Sequence, residues 1–171
     1  ITGGEEGPWS PYCVRIESGD PGDLGPVKER LAAVQDEGSQ LIARAATMAP
    51  VEGKDGGRWL DLCAGPGGKA AFLGGIAKID GATVDAVELS AKRAGLVENS
   101  VRGLPVTVHV ADGRDPGLEG GYDRVLVDAP CSGLGSLRRR PEARWRKTTD
   151  DLPGLTTLQG ELLESAAKLV R

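Results

Sequence analysis

The sequence predicts an α/β domain in which a parallel sheet carries helices on both faces. Two observations point there. Between residues 58 and 127, short apolar runs of strand length alternate with segments of helical period, the pattern of repeated βα units. The run Val125, Leu126, Val127 is continuously apolar, as expected of a strand buried on both faces.

Taken in order, the first 30 residues are rich in Gly and Pro and read as a connector, with one apolar-alternating piece at residues 12–16 that predicts a lone strand. After Asp36, a cap candidate, Leu41, Ile42, Ala45, Ala46 and Ala49 recur at helical spacing until Pro50 stops the pattern. Residues 58–63 predict a strand and residues 66–77 a helix with Phe72, Leu73, Ile76 and Ala77 inward. Residues 82–88 form the next predicted strand. Ser90 then caps a helix that buries Ala94, Val97, Val101 and Leu104, with Gly103 as its terminator. Val106, Val108 and Val110 alternate as a third strand. Leu155, Leu158, Leu162, Ala166 and Leu169 mark a final amphipathic helix. Because that helix runs to Arg171 without a cap, a further C-terminal strand is expected beside residues 125–127, and the sheet is expected to be truncated.

The 171 residues suit one domain by the prior of roughly 150 residues per domain. With 39% apolar and 27% charged residues and no apolar run of membrane length, neither a disordered tail nor a membrane span is predicted. No secretory leader pattern opens the chain, and the three widely spaced cysteines suggest neither a disulfide framework nor a metal site, so a reducing cytoplasm is expected. The net charge of −4 speaks against bulk attraction to nucleic acid. Residues 137–147 depart from that average, with six basic side chains against one acidic.

The segment LDLCAGPGGK at residues 60–69 combines a strand, a glycine-rich turn and a helix start. Gly65, Gly67 and Gly68 permit close approach of a ligand to backbone whose free amides point at it. Glu88 ends the next strand about twenty residues on, where a carboxylate can accept ribose hydroxyls. Asp112 and Asp128 end the following two strands. A P-loop is excluded, because Ala70 follows Lys69 where Ser or Thr must hold magnesium. Gly65, Gly67 and Ala70 satisfy the dinucleotide fingerprint, but Asp61, Glu88, Asp112 and Asp128 suit a cationic ligand such as S-adenosyl-L-methionine better than a diphosphate.

Asp128, Ala129, Pro130 and Cys131 form a loop at a strand's carboxyl end, facing the same crevice. A thiolate there is placed for addition to carbon 6 of a cytosine, which makes carbon 5 nucleophilic, and Asp128 is placed to hydrogen-bond the base. Cys63 reads as a packing residue, Cys13 carries no signal, and His109, the single histidine, reads as structural.

Together these residues resemble the Sun/Fmu (RsmB-type) family of RNA cytosine-5 methyltransferases. VQDEGSQ at residues 34–40 looks like the family's first-helix motif, LDLCAGPGGK its cofactor loop, VELSAKR at 87–93 its ribose-binding strand end, and DAPCSGLG at 128–135 its Pro-Cys motif. RRRPEARW at 138–145 is also similar, and the resemblance covers residues 25–171. It implies a Rossmann-like domain over residues 31–171, with residues 1–30 a connector or the remnant of an N-terminal RNA-binding region. S-adenosyl-L-methionine is then held by Cys63, Ala64, Gly65, Pro66, Gly67, Gly68, Lys69, Glu88, Asp112 and Asp128, with Arg93 beside them.

The resemblance also implies that Cys131 assists product release. The family's nucleophile is a second cysteine, in a Thr-Cys-Ser motif on the next strand, whereas DNA cytosine-5 methyltransferases attack with the Pro-Cys cysteine itself. No Thr-Cys-Ser occurs in these 171 residues, which alone are therefore expected to be inactive. RNA, foremost 16S ribosomal RNA, is the implied partner, with Arg138, Arg139, Arg140, Arg144 and Trp145 placed for phosphate contact and base stacking. Two alternatives stand beside this reading: a non-catalytic cofactor- and RNA-binding module, and a nicotinamide oxidoreductase.

Overall fold

A computed structural model describes residues 4–137, 141, 143–146 and 148–171. Its main sheet is built from β3 (Arg58–Asp61), β4 (Thr83–Glu88), β5 (Val106–Val110) and β6 (Arg124–Leu126), after a ribbon of β1 (Gly4–Glu6) and β2 (Val14–Ile16). The helices are α1 (Gly25–Lys28), α2 (Glu37–Met48), α3 (Gly68–Asp80), α4 (Ala91–Ser100), α5 (Ala143–Arg146) and α6 (Asp151–Leu169). The four strands of the main sheet are parallel in the order β5-β4-β3-β6. The chain therefore runs outward from β3 through β4 to β5 and returns to the other side of β3, which opens a crevice between the carboxyl ends of β3 and β6.

Alternation along the strands divides the core between the faces. Leu60, Leu62 and Val87 meet Leu162, Ala166 and Leu169 of α6 together with Tyr122. On the opposite face Trp59, Val84 and Leu126 pack on Leu73 and Ala77 of α3, and Ala64 and Ala86 pack on Ala70 of α3 and Val97 of α4. Helices cover both faces, as the periodicity predicts.

Local chemistry explains the boundaries. The Asp36 carboxylate accepts the Gly38 amide and starts α2. The Ser90 hydroxyl accepts the Arg93 amide and starts α4. The α3 helix begins at Gly68, two residues later than expected, because Gly67 occupies its cap with φ of +112°. Gly81, in the left-handed region, ends it.

Three expectations are corrected. The helix α2 buries Gln40 and Ala43, not Leu41, Ile42, Ala45 and Ala49. Its inner face follows small side chains facing α3 and the bond that the Ser10 hydroxyl donates to the Gln40 side chain at 2.7 Å. Val125 and Val127 are half buried, because β6 is an edge strand within the described residues. Its approach is flanked by a parallel bridge between Tyr122 and Val170, just past α6. The piece at residues 12–16 is not a lone strand: Val14–Ile16 pairs antiparallel with Gly4–Glu6, and the ribbon docks on α2. The Glu37 carboxylate accepts the Trp9 and Ser10 amides, both at 2.8 Å, and the Arg15 guanidinium.

Candidate cofactor and substrate site

The site grows from the turn between β3 and α3. The Ala64 amide donates to the Val87 carbonyl and the Gly67 amide to the Ala64 carbonyl, which folds residues 64–67 over the end of β4. A side chain at Gly65 would stand 2.1 Å from Glu88 Oε2, so only glycine lets the turn lie against that carboxylate. Arg93 braces the same point, donating to the Gly65 carbonyl at 2.7 Å and pairing with Glu88 Oε2 at 3.4 Å. Glu88 is itself only 6% exposed, and its Oε1 accepts the Ser90 amide at 2.9 Å.

Beneath the turn lies Asp61, fully buried at the end of β3, with neither carboxylate oxygen completing a well-formed hydrogen bond. Burial pushes its carboxyl up to about 7, against the pull of the Cys63 amide and the Lys69 ammonium. Burial also pushes the Cys63 thiol to about 12, and the carboxylates of Asp61, Glu88 and Asp128 add to the shift. Cys63 is thus a neutral, un-nucleophilic lining residue at physiological pH.

Two adjoining cavities share Cys63, Gly65 and Asp128. The first, about 400 Å³, is lined by Gln35, Ser39, Gly68 and Lys69 among others. The second, about 250 Å³, is a more apolar slot between Val87, Leu89, Pro130, Leu158 and Leu162, with Glu88 and Asp112 along it. Lys69 Nζ reaches Asp128 Oδ2 at 2.6 Å and so bridges the α3 and β6 sides of the crevice. Asp112 is gripped by Arg114, whose guanidinium holds its carboxyl down at about 2.

Pro130 lines the slot, its carbonyl accepting from Gln159 Nε2 of α6, and Cys131 follows it as an exposed free thiol. Cys13, also a free thiol, sits on the ribbon. His109 lies apart from the crevice, with Nε2 2.6 Å from Asp85 Oδ1, while Asp85 Oδ2 accepts the Tyr122 hydroxyl. Of the basic segment, Arg144 lies 5.9 Å over the Trp145 ring, and Trp145 is 83% exposed. Arg138, Arg139 and Arg140 lie outside the described residues.

The crevice thus gathers the glycine turn, Lys69, Glu88, Arg93, Asp112 and Asp128, and leaves Arg144 and Trp145 outside both cavity linings. Sequence reasoning missed three participants. Arg114 gives no signal, being one charge among many until folding places it on Asp112. Gln35 and Ser39 stand inside the VQDEGSQ motif, which was the available cue to their place in the lining.

A family model described as 16S rRNA methyltransferase RsmB/F matches residues 45–171. A Mycobacterium tuberculosis protein named as a methyltransferase is 58% identical over 98% of the chain. Ribosomal RNA small subunit methyltransferase B of Escherichia fergusonii is 36% identical over 91% of it. The chain spans about a third of these relatives' length, 36% in each case. The crystal structure of PH0851 superposes with a TM-score of 0.85 at 30% identity, over 98% of this chain and 38% of that one. NSun6 from Pyrococcus horikoshii, solved with SFG, shares the fold with a TM-score of 0.76 at 23% identity, over 92% of this chain and 41% of that one. With the glycine turn, the row of strand-end carboxylates and the Pro-Cys loop all in one crevice, the chain belongs to the 16S rRNA methyltransferase RsmB/F family.

Proposed function

We propose that the protein methylates carbon 5 of a cytosine in 16S ribosomal RNA in the cytoplasm. The observation that supports it best is the Lys69–Asp128 contact, which brings the cofactor turn and the Pro-Cys loop to one crevice with a cavity on either side. The residues fit S-adenosyl-L-methionine. Gly65 lines both cavities, so a ligand in either reaches backbone, and the carboxylates of Glu88, Asp112 and Asp128 line the second. Glu88 would accept ribose hydroxyls and Asp112 the adenine amine, and Leu158, Leu162 and Pro130 would offer apolar contact to the ring. A diphosphate at the same turn would face Glu88, Asp112 and Asp128, which disfavours a nicotinamide dinucleotide.

The cofactor, when bound, supplies an electrophilic methyl group on a sulfonium. The protein's part is to make cytosine a nucleophile. A cysteine thiolate would add to carbon 6, carbon 5 would take the methyl group while the broken carbon–sulfur bond's pair stays on sulfur as a neutral thioether, and loss of the carbon 5 proton to a base would expel the thiolate. Asp128 is the acceptor for the exocyclic amine, which selects cytosine over uracil. Lys69, bonded to Asp128, holds that carboxylate oriented. Cys131 serves release of the methylated product, and the attacking thiol comes from a Thr-Cys-Ser motif outside these 171 residues. Arg144 and Trp145 offer an RNA contact by charge and stacking.

Calorimetric titration with S-adenosylmethionine, and bisulfite sequencing of unmodified 16S RNA after incubation with the full-length protein, test this together. Saturable binding weakened at least about tenfold in Glu88→Ala, with one protected cytosine, is the expected result. A full-length protein that binds the cofactor but protects no cytosine would refute the substrate. Absence of binding would refute the cofactor site.

A further inference from the structure

We infer that Arg114 is the positioning residue that fixes Asp112 as the acceptor for the adenine amine and thereby sets the preference for an adenosyl over an inosyl ligand; this rests on the cofactor reading above. Asp112 leaves the end of β5 on a short loop, where a lone carboxylate has several rotamers open to it. Here it has one. Its Oδ1 accepts the Arg114 amide and Nε, each at 3.0 Å, and its Oδ2 accepts Nε at 3.1 Å and a terminal guanidinium nitrogen at 2.7 Å. The other terminal nitrogen of Arg114 reaches Glu161 Oε2 at 3.1 Å.

Glu161 belongs to the turn of α6 that also carries Leu158 and Leu162, two walls of the apolar slot. Arg114 therefore ties the loop bearing the acceptor to the helix bearing the wall. The ring-covering side chains and the polar group that reads the ring edge are held at one spacing.

The chemistry of the ring edge gives this clamp its consequence. A guanidinium has five donors and no acceptor, and its fork matches a carboxylate. It keeps Asp112 ionised, its carboxyl held at about 2, so Asp112 accepts hydrogen bonds and never donates them. Adenine presents an amine at position 6 and suits such a group. Hypoxanthine presents a carbonyl there, whose oxygen meets the carboxylate as two acceptors without a hydrogen between them. Once released, Asp112 can turn away from that clash, so the penalty on the inosyl ligand depends on the clamp.

Titration of the full-length protein with S-adenosylhomocysteine and S-inosylhomocysteine reads this directly. The native protein should prefer the adenosyl ligand on the order of a hundredfold. In Arg114→Met that preference should collapse to a few-fold, chiefly through weaker adenosyl binding, with Arg114→Lys restoring part of it. Glu161→Gln, an exposed and near-isosteric change, should reduce the preference while leaving the fold intact, and serves where Arg114→Met is too unstable to assay. Unchanged preference in both variants, or parallel loss of both affinities, would overturn the inference alone. Failure of the native protein to bind either ligand would overturn the cofactor reading, and the inference with it.

Discussion

At the scale of single residues, the strongest conflict with stability is Asp61. A carboxylate with no partner in the core is costly, and its carboxyl is raised from an ordinary 3.8 to about 7. The folded state therefore holds a proton that the unfolded chain has already lost, and it binds more protons across this window. Stability must fall as pH rises from about 4 to about 7 and level off above it. Asp61→Asn, which needs no proton to be neutral, should flatten that slope and raise the melting midpoint at pH 8 by on the order of 5 °C. Scanning calorimetry from pH 4 to 8 checks this, and a variant with the native slope would place the titration elsewhere. The same substitution should weaken cofactor binding, because the residue stands under the glycine turn. Asp61 was visible in the sequence as one of four strand-end carboxylates, but its isolation was not, since burial without a partner is a property of packing.

Among the elements, α3 carries the turn and lies on the sheet at a distance set by Gly74. A side chain there would stand 2.5 Å from Val106 Cγ2 and 3.1 Å from Leu104 Cβ, whereas one at Gly75 meets nothing within 4 Å. Gly74→Ala should cost about 1–3 kcal/mol by overpacking, and Gly75→Ala should cost nothing. Urea unfolding of the pair separates close approach from helix propensity, and equal midpoints would refute the packing argument. Strand and helix order were legible in the sequence because the period of apolar residues changes from two to between three and four at each turn. The inner face of α2 was not. Apolar spacing favoured Leu41 and Ile42, yet the face that meets α3 carries Ala43, and Gln40 turns inward because Ser10, 30 residues away in sequence, supplies its partner. A local pattern contains no record of a distant hydroxyl.

In the molecule as a whole, one acidic side chain gathers three of the hydrogen bonds that tie the first residues to the domain. Glu37 accepts two amides and one guanidinium from the ribbon, and the Tyr12 ring meets the Phe72 edge at 5.1 Å beyond it. Glu37→Ala should release the ribbon and lower hydrogen-exchange protection at residues 7–16 on the order of tenfold, with the main sheet unchanged. Unchanged protection would show that the aromatic contact and the Ser10–Gln40 hydrogen bond suffice. The glycine turn, the strand-end carboxylates and the Pro-Cys loop, and their meeting in one crevice, were legible in sequence because each stands at a strand end. The clamp on Asp112 and the docking of the ribbon were not, because each joins segments that only the fold brings together. The bond between Lys69 and Asp128 has a consequence for how the crevice fills. The ammonium occupies one oxygen of the carboxylate, Oδ2, and leaves Oδ1 on a half-exposed side chain for a base. On the proposed reading, an incoming cytosine amine exchanges with water at Oδ1 while Lys69 keeps its place. That exchange would add little to the strength of RNA binding and much to its selectivity, since a uracil carbonyl has no hydrogen to offer in return for the water it displaces.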